Sequence, residues 1–228
     1  MSALTRSEQD YLKALYALAD EGETVAPSRL ARRLAVSPPS VTHMLAKLAG
    51  RRLIAHSPGS GARLTSRGRR QAIEIVRRHR ILETFLVRVL GLDWADVHED
   101  AEVLEHHISD RVLAAIDGLM GHPEEDPHGH PIPNRAGRVR ARALAPLGSL
   151  ARGARATVRE IRDRDPGGRR LAHWKRAGLV PGAEIRVREV RELDGVFELE
   201  VQGRRWVTGS AGLDGVLVEP RKDAPRAR

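Results

Sequence analysis

The sequence predicts a mainly α protein with a small β domain: a winged helix-turn-helix, then a helical dimerisation domain, then a small β-barrel. Three observations carry this prediction. The first 65 residues hold three short amphipathic helical stretches followed by an alternating hairpin with a Pro/Gly-rich tip. The next 70 hold two long helical stretches whose apolar positions are too many for lone surface helices. The remainder breaks into short strand-like runs punctuated by glycine, the pattern of a small barrel.

Each element has a local cause. Ser7 to Ala19 is amphipathic, with Tyr11, Leu12, Leu15, Tyr16 and Leu18 as its apolar stripe, and Gly22 ends it. Pro27 fits the first turn of a second helix reaching Leu34, and Ser37 caps a third that starts on Pro38-Pro39 and carries Val41, Met44, Leu45 and Leu48. Leu53 to His56 and Ala62 to Thr65 form the wing around the tip at Ser57 to Gly61. Thr65 or Ser66 caps a long helix from about Arg69 to Leu90, which Gly91 ends. One further helix is predicted from His98 to Leu119, with Val103, Leu104, Ile108, Val112, Leu113 and Ile116 apolar. Past an Arg/Ala-rich linker, PLGSL, ATV, LAHWKRAGLVPGAEIRVREV and FELEVQGRRWVTGSAGLDGVLVEP read as short strands, and the tail from Arg221 as disordered. The domain boundaries follow as 1–72, 73–137, a linker at 138–145, and 146–220.

Charge is distributed unevenly along the chain. Residues 1–74 carry 12 Lys+Arg against 6 Asp+Glu, residues 75–134 carry 5 against 12, and the rest carry 22 against 12. A basic first third suits a polyanion; an acidic middle that also holds seven of the ten histidines suits cations. The absence of cysteine excludes disulfides and thiolate metal sites, so any metal centre must use His, carboxylates or carbonyls. No apolar run is long enough to span a bilayer, and the N-terminal MSALTRSEQDYL has no signal-peptide core, which predicts a cytoplasmic protein.

In a helix-turn-helix the second helix of the motif enters the major groove by its N-terminal end, with flanking cations on phosphates. Here that end offers Ser37, Pro39, Ser40, Thr42 and His43, short groups with no long bidentate reader. Phosphate contacts are expected from Arg29, Arg33, Lys47, Arg51, Arg52 and the wing residue Arg63, so DNA shape contributes to specificity. In the acidic middle, His79 and Glu83 stand one helical turn apart, and His98, Glu102, Glu105 and His106 repeat that spacing. Each set projects from one helix face, as a metal site built on helices requires. The two wide apolar faces predict a homodimer, and a dimeric reader expects a palindromic double-stranded operator.

The segments SEQDYLKALYAL, LAVSPPSVTHMLAKL, LTSRGRRQA, RRHRILETFL, VHEDAEVLEHHISD and HGHPIP together resemble the diphtheria toxin repressor family of iron- and manganese-dependent transcriptional repressors, across residues 5–134. The resemblance implies a winged helix, a helical dimerisation domain that builds the metal sites, and an SH3-like C-terminal domain. It implies a primary activating site at Asp10, Glu102, Glu105 and His106, and an ancillary site at His79, Glu83 and His98. Asp126 and His128 align with ligand positions of longer manganese regulators, and Asp163 or Asp165 is the candidate for a further carboxylate. Iron-type members have Met and Cys where this chain has Asp10 and Glu102; two carboxylates match the manganese branch, and hard oxygen ligands suit Mn²⁺. Lys13 stands where the minimal manganese regulators have a second-site carboxylate, which argues against a tightly paired cluster. His107, His122 and His130 are read as surface or helix-capping residues.

The implied function is a metal-dependent repressor of metal-homeostasis genes, responding to Mn²⁺ or alternatively to Fe²⁺. A second alternative is a winged-helix regulator sensing an organic ligand. An enzyme is not expected: no HExxH occurs, since His98-Glu99-Asp100-Ala101-Glu102 ends in Glu, and no Ser/His/Asp or Cys nucleophile set is present.

Overall fold

The computed structural model describes residues 4–19, 23–57, 61–134, 136–140, 142–162 and 169–221. The expected helix-ending Gly22, the wing tip at 58–60, Asp163, Asp165 and the tail beyond Arg221 lie outside the described residues. The chain forms two compact units, one of residues 1–79, 102–114 and 132–139, the other of 80–101, 115–131 and 140–228, so residues 73–137 contribute to both.

In the first unit, α1 (Arg6–Leu18), α2 (Pro27–Leu34) and α3 (Pro38–Gly50) precede a hairpin of β1 (Ile54–Ser57) and β2 (Gly61–Leu64). The caps are those the sequence predicts: Pro27 opens α2, and Ser37 accepts from the Ser40 N–H ahead of Pro38-Pro39. Thr5 caps α1 through a reciprocal pair, Glu8 N–H to Thr5 Oγ1 and Thr5 N–H to Glu8 Oε2. Leu12, Leu15, Leu30, Val41, Leu45, Leu48 and Leu53 close into one core. The Glu8 carboxylate is fully buried there and accepts two 2.8 Å hydrogen bonds from Arg51 Nη1, tying α1 to the C-terminal end of α3. A side chain at Gly68, in the first turn of α4 (Ser66–Arg88), would put its Cβ 1.9 Å from the Leu53 carbonyl oxygen, so glycine lets α4 press on the base of the hairpin.

The predicted helix from His98 to Leu119 is two helices, α5 (Val97–Leu104) and α6 (Asp110–Leu119). Apolar periodicity runs on through the break, but two interactions stop the first helix. Ser109 caps α6, its hydroxyl accepting from Val112 N–H and its carbonyl from Leu113 N–H. Arg78 Nη1 donates to the Ile108 carbonyl at 2.9 Å while Nη2 pairs with Asp110. The turn this leaves at 105–109 carries Glu105 and His106.

In the second unit the C-terminal segment is an antiparallel six-stranded sheet, ordered β3 (Ala145–Pro146), β8 (Val216–Pro220), β4 (Arg155–Ile161), β5 (Glu184–Arg191), β6 (Val196–Val201) and β7 (Arg204–Gly209). The fold is SH3-like, but the expected closed barrel is not observed: among the described residues β3 and β7 do not pair. Where LAHWKRAGL reads from sequence as strand, its first six residues belong to a short helix, α7 (Arg169–Arg176). Its Trp174 is fully buried, fills the sheet's core beside Val158, Ile161 and Val187, and donates Nε1–H to the Gly212 carbonyl at 2.7 Å. That buried anchor, rather than any strand pairing, fixes the segment.

Candidate metal centres

The first unit brings Asp10, Glu102, Glu105 and His106 together, one ligand atom from each lying within 4.8 Å of all the others. Asp10 comes from α1, Glu102 from the last turn of α5, and Glu105 and His106 from the turn beyond it. The turn lets adjacent residues 105 and 106 face one point, which a continuing helix would splay by about 100°. His106 Nδ1 lies 2.7 Å from Gln9 Oε1. With Nδ1–H donating there, the lone pair of Nε2 faces Asp10 Oδ1 at 3.0 Å and Glu105 Oε1 at 3.5 Å. Asp10 Oδ1 and His106 Nε2 are both buried without a hydrogen-bond partner. Burial pushes the Asp10 carboxyl above its ordinary value, His106 opposing and the neighbouring Glu102 adding to the shift. Two buried acceptors facing each other, among three carboxylates, fit a hard divalent cation with oxygen and imidazole ligands.

Lys13, one turn along α1 from Asp10, enters the same cluster. Its Nζ donates to Glu102 Oε1 at 2.7 Å and to Glu105 Oε1 and Oε2 at 3.0 and 2.9 Å, and lies 2.9 Å from His79 Nδ1. His79 Nδ1 is also 2.5 Å from Glu105 Oε2. His79 is therefore engaged with residues of the primary set, as well as standing one turn before Glu83 on α4.

In the second unit Glu83 is buried, with His98 Nδ1 3.1 Å from its Oε1 and His128 Nδ1 3.7 Å from its Oε2. His128 Nε2–H donates to the Trp94 carbonyl at 2.9 Å, which turns Nδ1 toward Glu83. Burial alone would lower the His128 pKa, but the facing Glu83 and Asp126 carboxylates outweigh it and hold it above the ordinary imidazole value. Glu83 thus faces two imidazoles, His98 through Oε1 and His128 through Oε2.

Asp126 is the residue that shapes this loop. Its Oδ1 accepts from the His128 and His130 N–H groups at 2.8 and 2.9 Å, and its Oδ2 meets His130 Nδ1 at 3.1 Å and Arg80 Nε at 3.7 Å. Ligand atoms of Asp126, His128 and His130 also lie within 4.8 Å of one another. The loop is pressed onto β4: Ile161 N–H donates to the His128 carbonyl, and a Cβ at Gly129 (φ +84°) would lie 1.8 Å from the Arg159 carbonyl oxygen. His130, read from sequence as a surface residue, bridges Asp126 and Glu160, the latter at 3.8 Å. Only the fold could show this, since Glu160 is 30 residues away.

On the DNA-reading side, Arg29, Arg33, Ser37, Pro39, Ser40, Thr42, His43, Lys47, Arg52 and Arg63 are all exposed. Arg51 is half-buried on Glu8. Thr42 Oγ1 bonds back to the Pro38 carbonyl at 3.2 Å.

Residues 3–62 match the N-terminal DNA-binding domain of iron-dependent repressors, 65–134 their metal-binding and dimerisation domain, and 145–220 the FeoA domain. The iron-dependent repressor IdeR of Mycobacterium tuberculosis is 32% identical over 201 residues, 82% of this chain and 86% of its own. The chain belongs to the iron-dependent repressor family. As a member, this repressor is a metal-dependent, DNA-binding regulator of transcription. IdeR of Mycobacterium leprae is 35% identical over 133 residues, 58% of each chain. Among solved structures, a manganese-dependent transcriptional repressor in complex with manganese superimposes with a TM-score of 0.86 at 37% identity, covering 94% of this repressor and all of that chain. The manganese regulator SloR gives 0.77 at 28%, covering 96% and 100%. No helix among the described residues is long and apolar enough to cross a membrane.

Proposed function

We propose that this chain is a manganese-responsive repressor that works in the cytoplasm as a homodimer on a palindromic double-stranded operator, by binding rather than by turnover. The observation that carries the reading is the facing pair of buried acceptors, Asp10 Oδ1 and His106 Nε2, 3.0 Å apart. One lies on the DNA-reading unit's first helix and the other beyond the helix proposed to dimerise, so a shared cation fastens α1 to the α5 turn. Bound there, the cation supplies positive charge and coordination to Asp10, Glu102, Glu105 and His106. Gln9 holds the His106 ring in the tautomer that presents Nε2. Glu83, His98 and His128 form the second centre, His128 being aimed by the Trp94 carbonyl. Asp126 orders the loop that delivers His128.

Oxygen and imidazole donors without sulfur support Mn²⁺ as the effector. Fe²⁺ accepts the same donors and is the second reading, favoured by the iron-dependent relatives. The deciding test is gel-shift binding of the chelated protein to operator DNA, titrated separately with Mn²⁺, anaerobic Fe²⁺ and Zn²⁺. Binding is expected only with metal, with Mn²⁺ acting at concentrations within its cellular supply. Glu105→Ala or His106→Ala should abolish the metal dependence with the fold intact by circular dichroism. Equal binding in chelator would overturn the reading in favour of an organic effector.

A further inference from the structure

The Arg-rich linker meets the C-terminal sheet at a cavity that neither metal centre uses. The cavity holds about 390 Å³, at the small end of the roughly 300–1,000 Å³ range of ligand sites. Arg140 and Arg142 of the linker line it, with Glu160 of β4 and Arg162 just past that strand, while Leu144 and Leu217 supply apolar wall.

Three guanidiniums against one carboxylate leave this lining with two positive charges. Glu160 is already engaged, its Oε1 accepting from Arg162 Nε at 2.5 Å and lying 3.8 Å from His130 Nε2. Arg142 pairs with Glu125 through Nη2, but its Nη1 is buried with no hydrogen-bond partner among the described residues. A buried cationic N–H without an acceptor is unfavourable, and an anionic oxygen is the group that satisfies it best. Arg140 meets Glu124 at 3.3 Å with both side chains about three-quarters exposed. Solvent screens such a pair to little net value, so exchanging Glu124 for a ligand oxygen loses little. Neither Glu124 nor Glu125 lines the cavity. Arg80 takes no part, since Nη1 donates to the Pro131 carbonyl and Nε faces Asp126.

We propose that this cavity binds a small polyanion, a molecule carrying two or more carboxylate or phosphate groups. Arg140, Arg142 and Arg162 grip it through charge-assisted hydrogen bonds, the planar guanidinium fork matching both kinds of group. Two anionic groups balance the two positive charges of the lining. The site uses none of the residues assigned to the cations, so it stands or fails apart from the metal reading.

The test uses the full-length chain, stripped of metal and dialysed free of chelator, titrated in a calorimeter with pyrophosphate and with citrate. Sodium chloride at matched ionic strength is the control. At least one of the two probes should bind once per chain and raise the melting temperature above the chloride value. Arg142→Gln should weaken that binding at least tenfold and Arg140→Gln at least threefold. Arg188→Gln removes the same charge outside the lining and should leave the affinity unchanged. Circular dichroism checks folding; if Arg142→Gln does not fold, the exposed Arg140→Gln decides alone. Tighter pyrophosphate supports a phosphate-bearing ligand and tighter citrate a carboxylate-bearing one. No binding of either probe beyond chloride, unchanged affinity in the folded cavity variants, or an equal loss in Arg188→Gln would each overturn the site.

Discussion

Glu8 shows how a single buried side chain can both cap one helix and tie it to another. Burial alone would raise its carboxyl pKa, yet the Thr5 N–H and the Arg51 guanidinium outweigh burial and hold it at about 2, against an ordinary 4.5. A depressed carboxylate stabilises the fold above its unfolded pKa and loses that contribution as pH falls through its folded one, so Glu8 adds on the order of 3 kcal/mol at neutral pH, lost between about pH 4.5 and 2. Glu8→Gln should lower the urea midpoint at pH 7 and flatten the acid limb in that window; a parallel acid limb would show that Glu8 is not its source. Thr5 and Glu8 have capping-box spacing, a local signal passed over when the helix is started at Ser7. It does not reveal Arg51, 43 residues on, as the partner, and so presents Arg51 as a phosphate contact. Asp10, Glu102, Glu105 and His106 are foreseen as a set from family resemblance. Gln9 as the residue that orients His106 has no sequence signal; Lys13 is placed at the cluster by the resemblance, but its bonds to Glu102, Glu105 and His79 are not.

At the scale of elements, caps and apolar stripes foretell α1, α2, α3, the wing and α4, because those signals are local. Two elements escape. The break between α5 and α6 depends on Arg78 reaching the Ile108 carbonyl across 30 residues, while Val103, Leu104, Ile108 and Val112 keep helical spacing through it. In α7, Trp174 and Leu171 are buried by the sheet they lie against, and the surrounding glycines imitate strand punctuation. The loop that delivers His128 is the most sensitive connection in the second unit. Gly129→Ala meets the Arg159 carbonyl and a left-handed backbone at once, so it should lift the loop from β4 and cost about 2–3 kcal/mol. On the proposed reading it should remove the ion at the Glu83 centre and leave the Asp10-dependent one. Retention of both ions with unchanged stability would mean that the loop is not held by this contact.

For the whole molecule, the decisive surface is the apolar one left uncovered within a single chain. Val103, Leu104 and Val112 are 50%, 39% and 46% exposed, and Leu119, two turns beyond Val112 on α6, is 69% exposed. Helical faces this apolar match the family's dimerisation domain. Val112→Glu, at a position that contributes little to the chain's own core, should sediment as a 25.2 kDa monomer and lose operator binding while retaining its melting temperature. A dimer that survives this change would place the interface elsewhere. The three-part plan is readable from sequence because composition changes sharply between parts; the open edges of the C-terminal sheet are not, since strand runs alone do not say whether the last strand returns to pair with the first.

The short stretch of α1 from Glu8 to Lys13 has a mechanical consequence. It rises only about 7.5 Å. At one end Glu8 is bolted through Arg51 to the helix that reads DNA; at the other, Asp10 and Lys13 grip the turn that carries Glu105 and His106. On the proposed metal reading, sensor and reader would be two ends of one stiff rod less than a nanometre long, joined to α3 by the single Glu8–Arg51 pair.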